Sequence, residues 1–457
     1  MPPSSQTETT EVRRLAAEHH WRGPFWLLVY VSLVAAPMGA VIGTRPNSGV
    51  EFWWNLSMSL GLAGLSVMLI QFTLTARIRK ATSPFGADLV YVFHRYLAWV
   101  GFGLIGTHFL ILYLGYGDAL GSLDPRIAAW ELTAGRLALV AFGLAVVSTE
   151  FRKTLRLDYG LWRYLHVALA MVGMVCALAH GIGAGRLSQT PAGLAVWAVL
   201  TLFWLGLVVW LRLIRPARLG RRPYRVVAVR QERGDASTLT LEPDGWPGLN
   251  GFSPGQFAWL SISRSSFVLE DHPFSISSTP GALPRIELTI KALGDFSSAI
   301  ADAPVGQRAW IDGPFGVFSH DRYPSAPGLV FIAGGIGITP VMSMLRDLAE
   351  RSDPRPLWLF YANEDWEGVT FREEIDGIRS RLDLTLVHIV EDPPKGFTGV
   401  CGRLEGSVLD DHLPAESMSS FRYFLCGPVP LTEAMEKLLG ARGVPRFHVR
   451  TELFELA

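Results

Sequence analysis

Cysteine is scarce in this chain. Cys176, Cys401 and Cys426 are the only three in 457 residues, and none has a neighbour at metal-ligand spacing. A four-cysteine iron–sulfur cluster and a disulfide framework are both excluded. Net charge is missing too: 41 Lys and Arg balance 41 Asp and Glu, so nothing global attracts a nucleic acid. No loop has the acidic spacing of an EF-hand, so direct calcium control is not suggested. Long apolar runs are absent after residue 215, where the texture is that of an ordinary water-soluble protein.

Before residue 215 the picture reverses. Six apolar stretches are long enough to cross a hydrocarbon core, which takes roughly 20 residues: Phe25–Gly43, Trp53–Thr75, Leu89–Leu114, Leu132–Thr149, Leu161–Gly181 and Ala192–Ile214. The first contains small residues at Ala35-Ala36-Pro37-Met38-Gly39-Ala40, but its long polar lead and the five later spans argue against a cleaved signal. Basic residues mark one side of the membrane. Arg13, Arg14 and Arg22 precede the first span, Arg77, Arg79 and Lys80 follow the second, and Arg152, Lys153 and Arg156 follow the fourth. Arg212, Arg215, Arg218, Arg221 and Arg222 close the sixth. The opposite loops carry only Arg45, Arg126 and Arg186 beside Asp118 and Asp124. Both termini are therefore expected in the cytoplasm, with residues 1–23 a cytoplasmic lead and 24–216 a membrane domain.

Two spans hold paired histidines. His94 and His108 lie in the third, His166 and His180 in the fifth, and both gaps are 14 residues. Fourteen steps of a helix fall about 40° short of four turns, so each pair shares a face, roughly 21 Å apart along the axis. With one span between them, the two helices run in the same direction. His94 is then level with His166 and His108 with His180, in two tiers suited to bis-axial ligation of two haem irons. A lone membrane histidine is more often a hydrogen-bonding partner of a neighbouring helix; the duplicated spacing argues against that here. Two bare metal ions fit less well, because few carboxylates lie at membrane depth to complete a shell.

The second half changes texture twice. Val226–Val229, Phe257–Ile262 and Ile286–Lys291 read as strands broken by Gly and Pro, giving a small antiparallel barrel over 221–325. From Gly328 onward strands and helices alternate: strand Leu329–Ala333, helix Val341–Arg351, strand Leu357–Tyr361, helix Phe371–Arg381 and strand Leu384–Ile389. That is an α/β parallel-sheet domain over 326–457. Its turn, Gly334-Gly335-Ile336-Gly337-Ile338-Thr339-Pro340, joins a strand to a helix start, where backbone N–H groups can approach a pyrophosphate.

Here a family resemblance emerges. His272-Pro273-Phe274-Ser275 resembles the flavin-binding segment of NADPH oxidases and ferric-chelate reductases. Pro254-Gly255-Gln256-Phe257, Leu293-Gly294-Asp295-Phe296-Ser297 and Asp312-Gly313-Pro314-Phe315-Gly316 resemble further landmarks of the ferredoxin-reductase-type FAD domain. Gly334–Pro340 and Cys426-Gly427-Pro428 resemble its nicotinamide-side motifs. The resemblance implies FAD, two b-type haems, and NADH or NADPH as donor. It implies that Phe274 and Ser275 contact the isoalloxazine and ribityl part, that His272 stands where soluble relatives often use Arg, with Pro273 in the same FAD-binding segment, and that Phe296 and Ser297 lie near the FAD pyrophosphate. Gly334, Gly335, Gly337, Thr339, Pro340, Gly427 and Pro428 border the dinucleotide, with Cys426 near the reacting ring carbon. Glu452 and Phe454 match the family's C-terminal acid and aromatic, Phe454 covering the flavin until the nicotinamide displaces it.

The implied protein is an integral enzyme of a bacterial cell membrane that moves electrons outward from cytoplasmic NAD(P)H. The acceptor closest to the family is dioxygen, giving superoxide; the alternative is a ferric chelate reduced for iron uptake. After strand Leu357–Tyr361 come Glu364 and Asp365, which suit a ribose 2′-hydroxyl better than a 2′-phosphate; Arg372 is the alternative phosphate contact. A transporter with a regulatory nucleotide domain, or a haem scaffold serving another protein, are the competing classes.

Overall fold

The computed structural model describes residues 24–25, 27–35, 39, 52–77, 87–184, 190–263, 265–268 and 270–453. The chain divides into two compact units, Met1–Ile214 and Arg215–Ala457.

In the first unit, helices α1 (Phe52–Leu74), α2 (Ala87–Gly115), α3 (Trp130–Glu150), α4 (Tyr159–Ala184) and α5 (Pro191–Val209) are built from apolar residues with few interruptions. Five helices among the described residues are long and apolar enough to cross a membrane, the last running Pro191–Gly220. The expected first span, Phe25–Gly43, lies partly outside the described residues; 24–25 and 27–35 are helical. Polar surface is scarce on these helices, and large apolar side chains such as Leu114, Val140, Val172 and Leu202 face outward, as expected where lipid is the solvent. Phe142, Met174, Leu178, Trp197 and Trp204 fill the centre. Thr190 caps α5 by accepting from Gly193 N at 3.1 Å, with Pro191 opening the helix, a start that proline's fixed φ favours.

The second unit opens with an antiparallel sheet of six strands: β1 (Pro223–Glu232), β2 (Ala236–Pro243), β3 (Phe257–Ser261), β4 (His272–Ser275), β5 (Ile286–Lys291) and β6 (Arg308–Phe315). Their order is β4-β3-β6-β1-β2-β5. Among the described residues the two edges are bridged at Ile276 and Leu288, so where a barrel was expected the sheet is a half-barrel. Tyr224, Leu239, Leu241, Leu260, Ile286, Leu288 and Ile290 form its interior. The short helix α6 (Asp295–Ala299) follows β5.

A parallel sheet comes next: β7 (Leu329–Gly334), α7 (Ile338–Glu350), β8 (Leu357–Asp365), α8 (Arg372–Arg379), β9 (Leu384–Asp392), β10 (Val400–Cys401), α9 (Gly406–His412), β11 (Arg422–Cys426), α10 (Val429–Ala441) and β12 (Val449–Glu452). The order β10-β9-β8-β7-β11-β12 reverses direction between β7 and β11. Helices α7 and α8 cover one face and α9 and α10 the other, so the central strands are buried on both sides and read as continuous apolar runs.

Candidate functional site

Within the first unit the helices bring the histidines together in pairs. The rings of His94 (α2) and His166 (α4) have centres 6.3 Å apart, and those of His108 and His180 6.4 Å. Two imidazoles on opposite sides of one first-row metal, each about 2.0 Å from it, put ring centres roughly 6.3 Å apart. Both separations therefore suit one metal between each pair.

Hydrogen bonds fix which nitrogen keeps its lone pair. His108 Nδ1 lies 2.8 Å from the Ser57 carbonyl, and His180 Nδ1 lies 2.9 Å from that of Glu131. A carbonyl only accepts, so Nδ1 carries the proton and Nε2 is left to coordinate. At His166, Thr149 Oγ1 donates to the Ala145 carbonyl at 2.7 Å and so accepts from Nδ1 at 3.1 Å. Metal-bound histidines are held in this manner, the second N–H donated to a neighbouring acceptor. Space is prepared as well. A Cβ on Gly61 would lie 3.1 Å from His108 Nδ1, and one on Gly135 2.8 Å from His180 Nδ1. These partners were not read from the sequence, although a signal existed: Gly61 and Gly135 each follow by four residues the carbonyl that binds the ring.

In the second unit, His272–Ser275 is itself the edge strand β4, paired with β3 so that Ala258 faces Phe274 and Phe257 faces Ser275. His272 stacks on Phe296 with ring centres 4.1 Å apart, and Phe274 is parallel to Phe296 within 12°. Ser275 Oγ is buried with no partner among the described residues, a hydroxyl that a bound ring system could satisfy. Arg215 pairs with Asp312 and lies 3.9 Å from Asp271, anchoring the start of β4. Gln256 donates to the Gly316 carbonyl at 2.9 Å, tying two of the glycine-bearing motifs together. Ser297 spends its hydroxyl on the turn, accepting from the N–H groups of Leu293 and Gly294 at 2.9 Å each.

The nicotinamide-side motifs meet at the sheet's reversal point. β7 ends at Gly334 and β11 at Cys426, and the strands are adjacent, Cys426 level with Ala333. In open parallel sheets the crevice at such a point is where ligands bind. The two turns touch backbone to backbone: a Cβ on Gly337 would fall 2.2 Å from the Cys426 carbonyl, and one on Gly427 2.9 Å from Gly334 N. Gly335 has φ +51°, a conformation glycine adopts freely. Thr339 and Pro340 are buried in the first turn of α7, Thr339 donating to the Ile336 carbonyl at 3.0 Å; Pro428 is exposed. Cys426 is fully buried, and burial, with Glu452 beside it, pushes its thiol well above the ordinary value. Glu452 is level with Cys426 on β12. Phe454 lies outside the described residues.

Beyond β8, Asp365 accepts from Gly368 N at 2.6 Å. Arg372 lies over the Trp366 ring at 4.5 Å, donates to the Trp366 carbonyl at 2.9 Å and pairs with Glu373.

Comparison with known proteins agrees with this layout. Residues 60–177 match the family described as ferric reductase like transmembrane component, 237–319 an FAD-binding domain, and 331–437 an oxidoreductase NAD-binding domain. The glycine betaine monooxygenase reductase subunit of Chromohalobacter salexigens is 29% identical over 246 residues, 51% of this chain and 64% of that protein. Its namesake from Pseudomonas aeruginosa is 30% identical over 260 residues, 52% of this chain and 69% of that one. The chain thus spans about two thirds of the length of these relatives. Among solved structures, the FAD/NAD-binding domain of nitric oxide dioxygenase from Vibrio cholerae aligns over 51% of this chain and 98% of its own, at 21% identity and a TM-score of 0.46. Joining a ferric-reductase-like transmembrane component to FAD- and NAD-binding modules of NAD(P)H oxidoreductase type, the chain has the domain architecture of the ferric reductase and NADPH oxidase family.

Proposed function

We propose that the chain carries electrons from cytoplasmic NADH or NADPH, through FAD and two b-type haems, to an acceptor on the outer side of a bacterial cell membrane. Dioxygen, reduced to superoxide, is the first acceptor; a ferric chelate is the second, favoured by the name of the family that residues 60–177 match. The observation that carries the reading is the pair of imidazole gaps, 6.3 and 6.4 Å between ring centres, on two shared helices.

When bound, FAD and haem supply the conversion of a two-electron hydride donor into single-electron transfers, and the protein contributes position and electrostatics. His94 and His166 hold the inner porphyrin, and His108 and His180 the outer one, each offering Nε2. The aromatic faces of His272 and Phe274, with Pro273, cradle the flavin, and the unpartnered Ser275 hydroxyl meets its polar edge. Phe296 and Ser297 flank its pyrophosphate. Gly334, Gly335, Gly337, Gly427 and Pro428 leave backbone open to the dinucleotide, while Thr339 and Pro340 brace the turn from behind. Cys426, a neutral thiol, acts by its bulk beside the nicotinamide rather than as a nucleophile; Glu452 stands next to it, and Phe454 covers the flavin face. The acids Glu364 and Asp365, and the prior engagement of Arg372, favour NADH. The modules run over 24–216, 221–325 and 326–457, with both termini cytoplasmic.

The test is vectorial. The full chain is reconstituted in sealed vesicles with FAD and haem, NADH is added on the side of the soluble half, and cytochrome c is enclosed. The expected result is enclosed cytochrome c reduction that superoxide dismutase inside the vesicle abolishes. Reduction only on the NADH side would contradict the reading; ferrous iron formed from an enclosed chelate, with no superoxide, would favour the second acceptor.

A further inference from the structure

The four histidines are not held alike. His108, His180 and His166 each give Nδ1–H to an acceptor: the Ser57 carbonyl, the Glu131 carbonyl and the Thr149 hydroxyl. His94 does not, its Nδ1 buried with no partner among the described residues. On the facing helix α1, Gln71 is 6% exposed and donates from Nε2 to the His94 carbonyl at 3.0 Å. Its Oε1 is likewise buried and unpartnered. A buried ring nitrogen and a buried amide oxygen thus stand unmatched in two residues already bonded to each other. Leaving such groups unpaired is costly in a buried site.

The spacing supports pairing them. Ser57 and Gln71 are 14 residues apart on α1, the interval that separates His94 from His108 on α2. Ser57 meets His108 and Gln71 meets His94, so α1 offers one polar group at the level of each α2 histidine. In the other helix pair, Glu131 and Thr149 on α3 serve His180 and His166 in the same order. Eighteen residues separate them, five whole turns, so they too share a face.

Resting on the two-haem reading above, we propose that Gln71 is the positioning residue of His94: its amide oxygen takes the Nδ1–H once the ring's Nε2 is committed to iron. Gln71 then does for His94 what Thr149 does for His166, and all four ligands share one mode of support. An accepting group behind an imidazole makes the ring a stronger donor, stabilising the ferric state and lowering the reduction potential. A glutamine that merely staples α1 to the His94 carbonyl would leave the potential alone.

The experiment is an anaerobic optical redox titration of the full chain in detergent, with haem counted per chain, for wild type, Gln71→Met and Gln71→Glu. Gln71→Met removes the acceptor at similar length and is expected to raise the potential of one haem and leave the other in place. Gln71→Glu keeps an acceptor, with added charge, and is expected to lower that same potential. If Gln71→Met loses one haem, retention of both in Gln71→Glu supports the proposal, and loss in both variants counts against it. Two haems per chain with neither potential moved in either variant overturns it and leaves the two-haem reading intact. Wild-type protein that binds no haem overturns the reading itself.

Discussion

A methyl group on residue 135 would lie 2.8 Å from Nδ1 of His180, and the same group on residue 61 would lie 3.1 Å from that of His108. The first distance forces the ring to shift; the second asks only a few tenths of an ångström. The rings are tied to backbone carbonyls and cannot retreat without losing those bonds. We therefore expect Gly135→Ala to bring haem content from two toward one per chain, while Gly61→Ala stays nearer two, as a pyridine haemochrome count would read. Equal content in both variants would argue against the clearance role. Cys426 gives a second residue-scale prediction. Burial and the neighbouring Glu452 hold its thiol well above 9.0, so at pH 8 it stays protonated, and only a thiolate alkylates readily. Iodoacetamide at pH 8 should label the exposed Cys401 and leave NADH-driven flavin reduction intact; loss of that activity with label on Cys426 would contradict the assignment.

Among the elements, α8 is tied to the turn between β1 and β2 by Arg233, which pairs with Glu373 at 2.8 Å and with Glu367, just ahead of the helix, at 3.0 Å. Arg233 holds Glu373 down to about 2 from an ordinary 4.5. A depressed carboxylate contributes its stability above the unfolded value and loses it as pH falls through the folded one, here from 4.5 toward 2. Solvent screens the pair, so its net contribution is small. Glu373→Gln should therefore lower Tm slightly at pH 7, and the difference from wild type should shrink as pH falls below 4.5. A gap that widens in acid would refute the pairing. The elements also show what was readable in advance. Strands β5, β7, β8 and β9 and helices α7 and α8 were legible, because alternation, a bounded apolar run or an amphipathic stripe marked them. β4 was not, because Pro273 argues against a strand; it is tolerated there because β4 is a sheet edge that needs fewer N–H groups. β11 escaped because a five-residue buried run has no period to detect. In the membrane helices the histidine interval was plain, but their partners were not. Ser57, Gln71 and Thr149 are ordinary polar residues until the facing helix supplies their level.

For the molecule as a whole, composition alone separated an apolar half from a more polar one, and the compact units divide at Ile214 and Arg215, close to where the apolar runs stop. The parallel sheet's reversal between β7 and β11 was invisible in sequence, since strand order depends on crossover connections; yet it brings together two motifs far apart in the chain, Gly334–Gly337 and Cys426–Pro428. The proposed electron path rests on the pair of imidazole gaps in the first unit, so the central claim stands or falls on their occupancy. The direct measurement is the number and type of haems in the purified full chain from haem-replete cells, for wild type and His108→Leu. The account predicts two six-coordinate low-spin haems per wild-type chain and one in the variant, with NADH still able to reduce bound FAD in both. A colourless wild-type preparation, or a variant that keeps both haems, would contradict it.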